Sequence, residues 1–195
     1  MRCTRPLRLM LLFLPQSRFR QLWSFSGKYM ATRTSPSRSI EMRPLEQADE
    51  GFMEQLYAST RSADQRMDGC DARTEALLVA LQFRARQAQL RTQYPYGDIA
   101  VILERDRPIG SLYVNYGPDE IRILDMSLLP EYRNRGIGRG LLRSLQAQAV
   151  RMRVPVRIDL LLSSQAYRLF HRCGFTPRGA NGVHNSLEWW PPLLT

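Results

Sequence analysis

Apolar positions first alternate with polar ones over residues 40–44 and then change to helical spacing, with Phe52, Met53, Leu56 and Tyr57 sharing one face of a helix that starts at Asp49. A polar, glycine-containing stretch over residues 59–71 follows. A second helical pattern carries Leu77, Leu81, Ala85 and Ala88 and ends before Tyr94-Pro95, because the residue ahead of a proline disfavours helix. Residues 99–104 and 109–116 read as antiparallel strands joined by the turn 105–108, and Gly117-Pro118-Asp119 leads into a central strand at 121–128. Leu141, Leu142, Leu145 and Ala149 then mark one face of a helix. Residues 156–162 read as a buried strand. Residues 164–173 read as a helix with Ala166, Leu169, Phe170 and Cys173 on one side, stopped by Gly174, and residues 175–178 and 186–190 close the pattern as strands. The order is β-α-α-β-β-β-α-β-α-β-β, an α/β chain with helices on the faces of a mixed sheet.

With 195 residues and 44% hydrophobic content, the chain is long enough for one domain with a full core. The net charge of +10 suggests nucleic acid until it is located. Residues 1–40 carry seven arginines and Lys28 with no acid, which is +8; the rest holds 20 arginines against 18 acids, which is +2. The domain is close to neutral, so its pI argues poorly for nucleic-acid binding. Residues 1–39 form a basic extension, read as disordered or as a spurious start ahead of Met30, with a transit peptide or a membrane-surface anchor as the other readings. The apolar run at residues 9–14 is too short for a membrane span. Cys3, Cys70 and Cys173 are odd in number and lack Cys-x-x-Cys spacing, so neither a disulfide framework nor a zinc site is expected, and a reducing, cytoplasmic setting is. His171 and His184 read as surface or edge residues, and no metal is expected.

The chemistry concentrates after the central strand. Pro130 leads into Arg133, Asn134, Arg135, Gly136, Ile137 and Gly138, where a helix begins. Glycines let backbone approach a ligand closely, and first-turn amides have no internal partners, so a basic glycine turn there predicts a bound phosphate or pyrophosphate. Spacing excludes two devices: no lysine follows to make a P-loop, and Gly136-Ile137-Gly138-Arg139-Gly140 lacks the dinucleotide fingerprint with its acidic ribose ligand. The plainer alternative is a glycine turn that only caps a helix.

Arg133-x-x-Gly136-x-Gly138 closely resembles the coenzyme A pyrophosphate motif of the GNAT superfamily of N-acetyltransferases. The downstream unit with Ala166, Leu169, Gly174 and Phe175 resembles the second signature of that family, and residues 42–49 look like its opening strand and helix start. The likeness spans roughly residues 40–190. It implies the GNAT, or acyl-CoA N-acyltransferase, fold: a mixed, mostly antiparallel central sheet flanked by helices, taken here as residues 40–195. It also implies acetyl-CoA as cosubstrate, held by the loop residues Arg133, Asn134, Arg135, Gly136, Ile137, Gly138 and Arg139 and by backbone groups of Met126 and Leu128, where two strands splay apart. Ser164 stands at another family coenzyme position, in place of the usual asparagine.

For catalysis the resemblance implies that the Met126 amide polarises the thioester carbonyl and that Asp125, at an acidic position of several amine-acetylating members, orients or deprotonates the amine. The usual leaving-group acid is a tyrosine where this chain has Phe170, which cannot donate a proton; Tyr167, one turn earlier, is the remaining phenol. Tyr57, Thr60 and Arg61 at the end of the first helix, with Tyr94 and Tyr96 after the second, are the candidate acceptor wall. The resulting expectation is an N-acetyltransferase acting on a primary amine of a small molecule or peptide, as monomer or homodimer, without nucleic-acid partner or membrane span. The alternative is a non-catalytic acyl-CoA-binding regulatory domain.

Overall fold

A computed structural model of the chain describes residues 32–33, 39–60 and 71–192. Apart from a two-residue strand β1 (Thr32–Arg33) and Ser39, the basic extension lies outside the described residues, as does Arg61. The elements run β2 (Ser39–Pro44), α1 (Glu50–Thr60), α2 (Ala72–Gln93), β3 (Asp98–Glu104), β4 (Arg107–Tyr116), β5 (Ile121–Leu128), α3 (Ile137–Met152), β6 (Val156–Leu161), α4 (Tyr167–Arg172), β7 (Thr176–Asn181) and β8 (His184–Trp189). They form one sheet in the order β1-β2-β3-β4-β5-β6-β8-β7. Every pairing is antiparallel except β5 with β6, which is the mixed, mostly antiparallel sheet expected from the sequence.

Ile109 to Val114 are buried without a break, so β4 is covered on both faces. The β3–β4 hairpin turns on Arg105 and Asp106, both at positive φ (50° and 63°), the twist that two-residue hairpins favour. Ile121, Ile123, Leu141, Leu142, Phe170 and Leu187 are among the most enclosed side chains of the core. Their burial supplies most of the driving force, at roughly 1.5–3 kcal/mol for each large apolar side chain. On β2, Arg43 grips the buried Asp49 carboxylate through both oxygens at 2.6 and 2.7 Å, fixing the strand against the turn that starts α1.

Three expectations change in detail. The second helix forms where its spacing placed it, but Leu77 and Leu81 are each 61% exposed, and Ala85 and Ala88 also face outward. The inner face is instead centred on buried Phe83, with Gln87 and Leu90 half-buried. The strand expected to be wholly buried alternates, with Val156, Ile158 and Leu160 inward and Leu161 and Leu162 exposed. The helix expected over 164–173 shortens to α4, because Ser164 spends its backbone on turns to Leu161 and Tyr167.

The parallel contact between β5 and β6 covers three residue pairs, Ile121 with Val156, Arg122 with Arg157 and Ile123 with Ile158. Arg122 and Arg157 would repel as neighbours. Glu120 lies between them, accepting from Arg122 Nε at 2.6 Å and Arg157 Nη1 at 2.6 Å, while Asp159 and Glu188 complete the network at 2.8 and 3.2 Å. Burial pushes the Glu120 carboxyl up, and the two guanidinium bonds outweigh it, so its pKa lies below the ordinary value. A depressed carboxyl contributes stability above its unfolded pKa and loses it as pH falls through the folded one. Glu120→Gln should therefore lower stability at pH 7 by about 2 kcal/mol, a gap that closes under acid conditions. Thermal melts of both proteins across pH check this; a gap that persists at pH 2 would assign it to packing.

Candidate active site

Beyond Ile123 and Ile158 the two parallel strands have no further partner residues, while β5 continues to Leu128. The backbone of that stretch can be assigned from its register with β4. Leu129 donates its amide to Ile109 at 2.9 Å, and the pairs Gly110 with Leu128, Ser111 with Ser127, Leu112 with Met126 and Tyr113 with Asp125 follow. Antiparallel pairs alternate between bonded and non-bonded, so Ser127 and Asp125 pair toward β4 while Leu128 and Met126 point their backbone groups the other way. That way is the gap left by β6. A register shift between Tyr113 and Val114 leaves Leu124 without a partner residue, a bulge that re-aims the strand where the gap opens.

The loop after β5 leaves backbone amides without intrahelical partners at the start of α3. Pro130 occupies the first turn of the 3-10 helix Pro130–Tyr132, where a missing amide costs nothing. Asn134 and Gly136 then take left-handed backbone at φ 59° and 84°, a conformation that turns successive amides toward one side. Gly136 is the N-cap of α3 and offers no capping side chain. Gly140 returns its amide to the Gly136 carbonyl at 3.0 Å, so the amides of Ile137, Gly138 and Arg139 precede the first bond of the helix. A Cβ on Gly138 would stand 2.9 Å from Leu169 Cδ2, so glycine lets α3 approach α4 beside the loop.

The motif arginines divide their work. Arg133 donates Nε to the Leu128 carbonyl at 2.8 Å and a second nitrogen to the Ser59 carbonyl at 3.2 Å, clamping the end of β5 to the end of α1. Arg135 lies over the Tyr132 ring, 5.1 Å from its centroid. Arg139 turns to the flank between α3 and α4.

On the opposite side of β5, Asp125 and Ser127 face α1 and α2. Asp125 accepts from Ser127 Oγ at 2.8 Å and from Arg86 at 3.2 Å. They border a cavity of about 20 Å³, room for roughly one water, walled by Met53, Leu56 and Tyr57 of α1, by Phe83, Arg86 and Gln87 of α2, and by Ser111. Gln87 Oε1 is buried and has no hydrogen-bond partner. Burial pushes the Asp125 carboxyl above its ordinary pKa, with Arg86 and Ser127 pulling it back only in part. The Asp125 side chain is 33% exposed, so it is a half-buried carboxyl beside an unsatisfied acceptor, reached by solvent on one side.

The structure brings Tyr57 to this cavity, packed on Phe83 with ring centroids 5.6 Å apart. Tyr96 does not line it and stands 69% exposed in the turn before β3. Ser164 accepts from the Ala166 amide at 3.3 Å at the start of α4, and Tyr167, half-buried, stacks on His171 with centroids 6.4 Å apart. Phe170 is 1% exposed and meets Phe175 edge-on at 5.1 Å. Sequence reasoning missed Ser127, Arg86 and Gln87. Ser127 was available from the strand period of two, and Arg86 and Gln87 follow Phe83 at helical spacing; the wrong face of α2 hid them.

The family described as acetyltransferase (GNAT) domain matches residues 95–177, the span that holds β3 to α4 and the glycine loop. Over that span the chain is similar to a GNAT acetyltransferase domain. Solved structures with the same fold include PaiA N-acetyltransferase from Thermoplasma acidophilum in complex with coenzyme A, 16% identical with a TM-score of 0.61 over 78% of this chain and 99% of that one. The ribosomal L7/L12 alpha-N-protein acetyltransferase RimL, also in complex with coenzyme A, is 18% identical with a TM-score of 0.55 over 77% and 93%. A chimera of spermidine N-acetyltransferase SpeG from Vibrio cholerae is 16% identical with a TM-score of 0.53 over 78% and 95%. These likenesses bear out the GNAT fold. A comparison with curated protein sequences finds no match. No helix among the described residues is long and apolar enough to cross a membrane, and none of their side chains cluster as a metal site.

Asp125 yields a stability prediction of unusual sign. A carboxyl whose pKa is raised by folding disfavours the folded state once it ionises, a penalty that sets in as pH rises through the unfolded value and is complete above the folded one. Asp125→Asn should leave the melting temperature at pH 7 unchanged or higher, and the difference should vanish near pH 3. A fall of several degrees at pH 7 would mean that the Arg86 and Ser127 bonds outweigh desolvation.

Proposed function

We propose that the chain is an acetyl-CoA-dependent N-acetyltransferase that acetylates a primary amine of a small molecule or peptide. The observation that carries this reading is the placement of two consecutive residues: Met126 turns its backbone into the gap between β5 and β6, and Asp125 presents a carboxylate to the cavity across the strand. The free β5 edge suits an extended pantetheine arm, which would pair with Met126 and Leu128 as an added strand does. The amides at the start of α3 and the glycine at Gly136 suit its pyrophosphate. Asn134, Arg135, Ile137 and Gly138 shape that cradle, Arg133 holds it to α1, and Ser164 sets the α4 end.

Acyl transfer to an amine needs a donor for the developing oxyanion and a route for two protons, one leaving the amine and one reaching the departing sulfur. The Met126 amide is the donor, fixed by the sheet before substrate arrives. Asp125, with Gln87 Oε1 nearby in the same cavity wall, receives the amine and takes its proton; Arg86 is the cation that the amine displaces or shares. Tyr57 packs the acceptor. Phe170 cannot protonate the thiolate and lies in the core, which leaves Tyr167 or solvent for that step. The same reading takes residues 40–195 as the catalytic domain, residues 1–39 as an appendage, and the protein as cytoplasmic, monomeric or homodimeric, without nucleic-acid partner.

The buried Phe170 also favours a second reading, a non-catalytic acyl-CoA-binding regulatory domain. Thiol release from acetyl-CoA across an amine panel separates the two, since only the enzyme turns over. Asp125→Asn should slow turnover by about a hundredfold. Binding is tested at Gly136, whose left-handed backbone asparagine and aspartate both tolerate better than other residues do. Saturating acetyl-CoA, at about 100 times Kd, should stabilise the wild type by about 2.7 kcal/mol; Gly136→Asn should keep much of that gain and Gly136→Asp should lose it. Equal stabilisation of all three proteins would overturn the coenzyme reading.

A further inference from the structure

Charge in the Asp125 cavity is balanced. Among the described residues that line it, Asp125 is the one acid and Arg86 the one base. Arg84 and Glu54, on the same two helices, pair with each other at 3.3 Å and add no net charge. An acceptor that brought a lone ammonium would leave this half-buried place with one positive charge in excess, and a second ammonium would double it. An acceptor that carries both an ammonium and an anion keeps the balance.

The polar groups of the cavity show where each charge would go. Asp125 accepts from Ser127 Oγ at 2.8 Å and from Arg86 at 3.2 Å, and Gln87 Oε1 beside it is a buried acceptor with no partner. An ammonium has three donors and no acceptor, so Asp125 and Gln87 Oε1 are its complement. With room for about one water, the cavity takes that head group alone. The rest of the acceptor stays at the rim, where Arg86 is the one exposed lining residue, with 47% of its side chain open to solvent. Arg86 spends one nitrogen on Asp125, and a guanidinium has five N–H donors, so donors remain for a second carboxylate. Asp125 and Arg86 touch, so the two charges of the acceptor must also be close neighbours. An α-amino acid meets this condition, because its nitrogen and its carboxylate sit on the same carbon. A polyamine has no anion, and a peptide N-terminus has an amide in the carboxylate's place.

We propose that the acceptor is a free α-amino acid, whose ammonium enters between Asp125 and Gln87 Oε1 while its carboxylate binds Arg86 at the rim. This rests on the N-acetyltransferase reading, and the test keeps the two apart. Signs alternate around the resulting ring of Asp125, Arg86, carboxylate and ammonium. Burial raises the Asp125 pKa and Arg86 holds it back, so a carboxylate that draws on Arg86 makes Asp125 a better acceptor for the amine proton. In the transfer the nitrogen bonds to the acetyl carbon as the carbon–sulfur bond breaks. Of the three ammonium protons, one stays in the new amide, one passes through Asp125 to solvent and one ends on the coenzyme sulfur.

Thiol release from acetyl-CoA by the full chain would be measured with a panel of α-amino acids, each beside its own carboxamide, and with a diamine, for wild type, Arg86→Gln and Arg86→Lys. For the best amino acid, wild-type kcat/KM should exceed that for its amide, and that for the diamine, by about tenfold or more. Arg86→Gln should lose most of the ratio of acid to amide, mainly through a raised KM for the acid, and Arg86→Lys should keep part of it. Comparing one ratio across the three proteins cancels the reactivity of the amine itself. Amides or the diamine turned over by wild type as well as the amino acids, or a ratio unchanged in Arg86→Gln, overturns the amino-acid assignment and leaves the enzyme reading standing. Absence of amine-dependent thiol release throughout overturns the N-acetyltransferase reading and this assignment with it.

Discussion

Parallel strands that stayed paired along their full length would leave β5 no free backbone. Glu120, Asp159 and Glu188 hold Arg122 and Arg157 side by side at the closed end, and within one further residue the pairing stops. Leu124 to Leu128 then keep only β4 as neighbour, and the bulge at Leu124 sets which residues turn toward the gap. Met126 and Leu128 face it through their backbone, whereas Asp125 faces the helices through its side chain. One strand therefore presents a backbone edge to one side and a carboxylate to the other, without any loop having to position either group.

The sequence revealed this arrangement where local rules are strong. The alternation over residues 40–44, the turn within residues 105–108 and the glycine start of α3 depend on neighbouring residues, and each appears within the range that the pattern gave, the turn narrowed to Arg105 and Asp106. The face of α2 depends on what it packs against. Leu77 and Leu81 were the stronger apolar signal, yet Phe83 is the residue that meets Tyr57 and the sheet, and with the wrong face chosen Arg86 and Gln87 were lost from view. The free edge of β5 was implied by family resemblance, but its parity came only from the register with β4.

Arg133 shows how a motif residue can act at one remove from a ligand. Its guanidinium is engaged by the carbonyls of Leu128 and Ser59, so the first arginine of the glycine loop ties the sheet edge to the helix that walls the Asp125 cavity. Gly138 works in a comparable way by letting Leu169 close in from α4. Asp125 is the opposite case: it faces its cavity directly, bonded to Arg86 and Ser127, with burial raising its pKa and both partners opposing that rise, beside the Gln87 oxygen.

Residue-resolved amide hydrogen exchange, with and without acetyl-CoA, tests the central claim that β5 offers its unpaired edge to the coenzyme. The amides of Met126 and Leu128 should become protected when acetyl-CoA is added, while those of Asp125 and Ser127, already bonded to β4, should change little. Binding of acetyl-CoA with no added protection at Met126 and Leu128, or with protection at Asp125 and Ser127 instead, would contradict the account.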